Sequence, residues 1–469
     1  MNIPEPFSDV KIARVTLMLI LGAVGSIPLV LLTPPFQVPD EVQHFYRAYQ
    51  LSEFRIRAEV QNGVAGGTLP DSLPQLANSS VYTQDGMHYP PTPSPISKTL
   101  KLASIPLNAS ARRFVAIRGS AGYSPLPYLP QVLAMVVGRW FGLGPLYLLY
   151  LGRLFNCLAA LGLAGLAVYL MPVAAELIMV VGLLPMSLYL YASLSPDAAV
   201  ISCALLFTAL SFSASTRGKW EVWELAVAAA AGAVFCSVKP VYAPILLAGV
   251  VPGLLRRGNV ANVIRSHVIL LGAALGVAAG WLELAKSSMA STVGEGHPAL
   301  QMSFVLHQPI SFMRALVHSL GILPATRRYI EMVGDFGWLT VPFPAVFFFV
   351  YLLPLVNFLI VWKVGTRGSE KRSVPCAVWY LALAVASAFL VMTALYIVST
   401  QVGGNEVTGV QGRYFIPILV LGGMAAIELA PGRRPSAPSW RNLAWIAAII
   451  VVQTIAMDAT IIHVFQVFS

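Results

Sequence analysis

The stretch "TPPFQVPDEVQHFYRAYQLS" (residues 33–52) decides how this chain folds. It follows an apolar run from Val15 to Leu32 and places Asp40, Glu41, His44 and Arg47 within eight residues. An α-helix needs about 20 apolar residues to cross a bilayer core of about 30 Å. The run is therefore a membrane span, and the charged stretch is what emerges from it. The run lacks a small-x-small cleavage site and ends in Thr33-Pro34-Pro35, which predicts a retained helix and not a removed leader.

The rest of the chain repeats the pattern. Of its 469 residues, 57% are hydrophobic and 11% charged, against roughly 25% charged in soluble domains. Apolar spans are expected at 14–33, 123–142, 146–170, 174–192, 198–215, 222–238, 241–255, 266–285, 341–362, 374–398, 413–430 and 442–465. The fold class is all-α: a polytopic helical membrane protein, one integral domain over 1–469, with about 11–13 membrane helices. Four cysteines, Cys157, Cys203, Cys236 and Cys376, lie in or beside these runs without a CxxC, as small buried side chains do.

The formal charge of +10 does not imply a nucleic-acid partner. The connections 216–221, 256–265, 363–372 and 431–441 hold twelve of the 30 Lys and Arg, and short basic loops mark the cytoplasmic side. The opposite, outer side then carries two large loops, 34–122 and 286–340, and the motifs "SLSPD" (193–197), "VKPVY" (238–242) and "QGRYF" (411–415). Parity requires an even number of crossings between the first outer loop and Asp197, yet three apolar segments separate them. The segment 123–142 carries Pro125, Pro127 and Pro130, and prolines break helix interiors. It is expected to begin as an interfacial element on the outer face and not to cross fully. "ISFMRALVHSLG" in the second loop reads as another surface-lying amphipathic helix.

Two roles fit the charges at 40–47. Asp40, after Pro39, could cap a helix "EVQHFYRAYQ", with Glu41 complementing its dipole. Alternatively one carboxylate is a general base. Three further outer positions bear on the choice: Asp197 after Pro196, Lys239 before Pro240, and Arg413. Together these segments, far apart in sequence, supply carboxylates, a lysine and an arginine on one side. Such a set can deprotonate a hydroxyl while holding an anionic phosphate leaving group.

"PPFQVPDEVQHFYRAYQLS", "GYSPLPYLPQ", "SLSPDA", "VKPVYAP" and "QGRYFIP" together resemble a family of bacterial membrane proteins of uncharacterised function, which looks like a branch of the GT-C glycosyltransferases. The resemblance covers residues 14 to 430. It implies a sugar donor linked to polyprenyl phosphate, a cell-envelope glycan or lipid acceptor, and a site at the outer face of the bacterial inner membrane. It implies catalysis by Asp40 or Glu41, with donor phosphate held by Lys239 and Arg413. His44, Arg47, Tyr123, Asp197, Tyr242 and Tyr414 sit in or beside the same motifs as candidate substrate-binding residues. Some members of that superfamily use a divalent metal; the first loop here lacks a D-x-D, so no metal ligands are assigned.

Two other functions share parts of this pattern. A glycan polymerase or ligase uses the same donor type and paired arginines in its main outer loop, where Arg327 and Arg328 are adjacent. A transporter or flippase places ionisable groups near the midplane, whereas Arg153, Glu176, Glu224 and Glu283 fall near expected span ends or in spans whose bounds are open.

Overall fold

The computed structural model describes residues 5–80, 93–117, 119–171, 174–256, 259–290, 297–349, 351, 373–429 and 440–468. It is mostly helical, as expected. Seven of the described helices are long and apolar enough to cross a membrane: Val10–Leu32, Pro145–Leu170, Asp197–Arg217, Val260–Ser288, Val374–Ser399, Gly412–Leu429 and Leu443–Phe465. Val222–Val238 and Pro240–Arg256 are shorter apolar segments. The span expected at 341–362 falls largely outside the described residues.

The helix starting at Asp197 is the centre of the bundle, with 94% of its apolar window buried, against 28% for the spans at 260, 374 and 443. The central position explains its composition: beyond Asp197, "AAVISCALLFTALSFSAS" is uncharged and mostly apolar on every side, so neighbours pack against it all round. Residues 174–192, expected as one span, form two helices, Ala175–Gly182 and Pro185–Tyr191. Pro185 cannot continue the first helix because it lacks an N–H, but its fixed φ suits the first turn of the second.

The expected non-crossing segment is present. Leu129–Trp140 is 12 residues long, about 18 Å at 1.5 Å per residue, too short to cross. It packs between Glu41–Ser52 and Pro145–Leu170. The described residues from Leu32 to Pro145 therefore stay at one end of the bundle, which restores the parity that three full spans would violate.

At that end the 34–122 segment builds more than a loop. Phe36, Phe45, Tyr49, Leu69, Leu73 and Tyr128 belong to a second hydrophobic core, closed beneath by Leu146 and Leu149. Its three-stranded antiparallel sheet (Glu59–Gln61, Val64–Pro70, Arg112–Ala116) pairs Gln61 with Val64 across Asn62-Gly63. Both turn residues have positive φ, 51° and 75°, as a two-residue hairpin of type I′ requires. The opposite end of the bundle is closed by ion pairs: Arg14 with Glu176, Arg217 with Glu224 and Arg256 with Glu428.

Candidate active site

The site is built on helix ends that meet at the Asp40 end of the bundle. Asp40 immediately precedes the helix Glu41–Ser52, but of the two roles open to it the side-chain cap is not the one it takes. Its backbone is left-handed, φ 63° and ψ 7°, and its carboxylate makes no capping hydrogen bond. The backbone carbonyl accepts from His44 N at 3.1 Å and starts the helix without help from the side chain. Aspartate is among the few non-glycine residues that tolerate this conformation. The carboxylate is consequently aimed away from the helix, with about half of its surface exposed, and Oδ2 lies 3.3 Å from Arg413 Nη2.

Arg413 comes from the short turn Gly412–Phe415 that opens the next-to-last span, and its side chain is buried. Its Nε lies 3.6 Å from Asp197 Oδ2. Asp197 opens the central helix and receives Lys239 Nζ on Oδ1 at 2.5 Å. Lys239 ends the helix Val222–Val238. Charges of alternating sign thus run Asp40, Arg413, Asp197, Lys239, drawn from four separate segments. The Tyr414 ring underlies both cations, 4.3 Å from Lys239 Nζ and 5.5 Å from the Arg413 guanidinium carbon. Tyr242 is buried and donates to the Tyr414 carbonyl at 2.8 Å. It braces that ring's backbone and presents no free hydroxyl hydrogen to a ligand.

Glu41, the other expected base, is committed elsewhere. Arg153 Nε and Nη2 donate to its two oxygens at 2.8 and 2.6 Å, and both side chains have no exposed surface. Phe36 N and Leu194 N also donate to Glu41. Arg153 in turn donates to the carbonyls of Val30, Thr33 and Pro34. Arg153 lies inside the helix Pro145–Leu170 and is fully buried, level with the end of the first span, whose last carbonyls it holds. A charge in a span needs a partner at the same depth, and the first carboxylate beyond the preceding span was the signal for it.

His44 and Arg47 lie in the helix Glu41–Ser52 and are also buried. His44 Nδ1 is 2.8 Å from Tyr128 OH, and its ring stacks on Tyr123 at 6.1 Å between centroids. Burial pulls its pKa down from 6.5 to about 4, outweighing the upward pull of Asp40 and Asp197. It is a neutral imidazole at pH 7. Burial also pushes the Tyr123 phenol up, reinforced by Tyr414, Asp197 and Asp40, so it stays protonated. Arg47, an expected substrate ligand, is a strut: it donates to Gln50 Oε1 at 2.6 Å and to the carbonyls of Ile56 and Tyr123 at 2.8 and 3.3 Å.

The turn that aims Arg413 depends on Glu331, which the sequence did not single out, and on Gly412 of the "QGRYF" motif. Glu331 accepts from Gly412 N at 2.8 Å, and Arg327 and Arg328 pair with the same carboxylate. A β-carbon on Gly412 would lie 2.0 Å from the Arg328 carbonyl oxygen and 2.4 Å from Met332 N. Only glycine fits.

The described residues contain no group of three or more His, Cys, Asp or Glu able to hold a metal ion. Between the two carboxylates Asp40 and Asp197 stands the Arg413 guanidinium. No curated protein and no solved structure matches this chain. One family does, over residues 24–422, a range that contains all five motifs and every residue of the site. The chain belongs to that family, described as predicted membrane proteins and designated DUF2142.

Proposed function

We propose that this protein is a membrane glycosyltransferase that moves a sugar from a polyprenyl-phosphate-linked donor to a glycan or lipid acceptor at the outer face of the bacterial cytoplasmic membrane. The observation that carries this reading is the pairing of a half-exposed Asp40 with a buried Arg413, a proton acceptor set beside a fixed cation. Asp40 takes the proton of an acceptor hydroxyl as that oxygen attacks the anomeric carbon. The bond from that carbon to the donor phosphate oxygen breaks, and the electron pair leaves with the phosphate. Arg413 and Lys239 neutralise the charge that develops there. Attack opposite the leaving group inverts the anomeric centre. Glu41 takes no part in proton transfer, because all its oxygens are engaged in the core. Tyr123 and Tyr414, both part-buried, supply ring surface beside the charges, and the buried His44 ring backs Tyr123.

The test is sugar transfer in membrane vesicles from radiolabelled polyprenyl-phosphate sugars. Asp40→Asn should lower the rate about 10²- to 10⁴-fold, the usual contribution of a general base, with the melting temperature unchanged. Transfer by Asp40→Asn at the wild-type rate would overturn the reading.

A second reading, passage of a lipid-linked sugar through the bundle, draws on Asp458. This carboxylate lies within the last span, and its Oδ1 is buried without a hydrogen bond among the described residues. Ionisable groups inside spans mark transport paths. Loss of transbilayer movement of such a lipid in Asp458→Asn, with transfer intact, would favour it.

A further inference from the structure

We propose that Asp40 occupies the seat of a phosphate group on Arg413, so that arrival of the phosphate releases Asp40 from the guanidinium. The inference rests on the assignment of Asp40 as base and Arg413 as anion ligand, and adds a coupling between them.

The contact between the two is poor for an ion pair. A single oxygen, Asp40 Oδ2, reaches a single nitrogen, Nη2, at 3.3 Å. Charge-assisted N–H···O bonds run about 2.7–2.9 Å, and guanidinium–carboxylate pairs are usually two-pronged. Arg413 is buried; its Nε faces Asp197 Oδ2 at 3.6 Å, and its Nη1 makes no hydrogen bond. A buried guanidinium with unmet donors is expensive to maintain. A phosphate group brings several oxygens with the spacing that the guanidinium fork matches, so it spans Nη2 and Nη1 and satisfies the donor that Asp40 leaves idle.

The other flank of Arg413 is not available for exchange. Asp197 is buried and held at 2.5 Å by Lys239 Nζ, whereas Asp40 is the exposed member and has one such contact. The incoming anion therefore displaces Asp40 and leaves the Asp197–Lys239 pair in place. Competition for one guanidinium is reciprocal: Asp40 weakens phosphate binding by the factor by which phosphate frees Asp40. An acceptor hydroxyl consequently meets an unpaired base only when the phosphate is seated.

The experiment uses the full chain in lipid nanodiscs and two probes, inorganic phosphate and the short-chain lipid citronellyl phosphate, with dissociation constants read by titration calorimetry. Asparagine tolerates the left-handed backbone of position 40, so Asp40→Asn removes the competitor without disturbing the fold. We expect Asp40→Asn to bind about two- to five-fold more tightly than wild type, the effect of removing a half-exposed ion pair, and Arg413→Gln to lose binding. A gain with both probes means the phosphate group alone is recognised. A gain with citronellyl phosphate only means that recognition requires the attached chain; either supports displacement. Unchanged or weaker binding of both probes by Asp40→Asn, or no binding by any form, overturns it. Sugar transfer separates the two claims. Tighter binding without transfer in wild type sinks the transferase reading alone. Transfer lost in Asp40→Asn with binding unchanged sinks the displacement alone.

Discussion

Glu41 and Arg153, separated by 112 residues, form a two-pronged ion pair with no exposed surface, and every remaining donor of the arginine goes to backbone at the end of the first span. The pair ties that span to the "SLSPD" segment, because Glu41 also accepts from Leu194 N. The carriers of Asp40 and Asp197 are thereby held in one register.

Breaking one side of this pair should be severe. Glu41→Gln leaves a buried guanidinium without its counter-charge, and such losses cost about 3–5 kcal/mol. Thermal unfolding in detergent checks this, with Arg153→Met and the double variant completing a cycle. The double variant should be less destabilised than the sum of the singles. Additive losses would mean that the two groups are not coupled.

Gly412→Ala makes a second stability prediction. The new methyl would press on backbone atoms of the helix Ile322–Gly334, at 2.0 and 2.4 Å, and backbone cannot rotate aside as a side chain can. Overpacking of this kind costs about 1–3 kcal/mol. Because Arg413 follows directly, phosphate binding should weaken with it. A variant that melts and binds like wild type would show that the turn can shift as a unit.

Much of this site was legible in the sequence because all of its pieces are helix ends. The basic connections assigned the ends to sides, and "PDEVQH", "SLSPD", "VKPVY" and "QGRYF" then fell on one of them. What sequence could not assign was pairing between residues at one level. Glu41 and Asp40 are adjacent, yet one turns into the core to meet Arg153 and the other turns out to meet Arg413. The left-handed backbone at Asp40 makes that difference, and the same residue types would equally suit a normal cap. The division of 174–192 into two helices was also hidden, although Pro185 stands at the break. Asn62-Gly63 was a readable hairpin signal for the sheet in the first loop.

His44 predicts how stability varies with pH. The unfolded chain takes up a proton on this residue below about pH 6.5, while the folded chain does so only near pH 4. Stability conferred by the neutral ring is therefore complete above pH 6.5 and falls as pH drops to 4. At 1.36 kcal/mol per unit the loss is about 3 kcal/mol. His44→Gln keeps a polar partner for Tyr128 and removes the titration. The difference in melting temperature between wild type and His44→Gln should shift against wild type from pH 7 to pH 4. A constant difference would mean that the ring titrates alike in both states.

Asp40 and Asp197 both face Arg413, but their removal should have unlike effects. Asp40 is half exposed, and exposed ion pairs contribute about 0–1 kcal/mol. Asparagine also keeps the left-handed backbone without added strain. Asp197 is buried between Arg413 and Lys239, so Asp197→Asn leaves two cations facing each other across a neutral amide. That loss should reach about 3–5 kcal/mol. Parallel melts of the two variants check the ranking, and the ranking governs how activity is interpreted. A transfer defect in Asp40→Asn then reports chemistry, because the fold is unchanged, while a defect in Asp197→Asn reports a collapsed site. If Asp40→Asn proves the less stable of the two, Asp40 is a structural counter-ion for Arg413, and the base must be sought elsewhere.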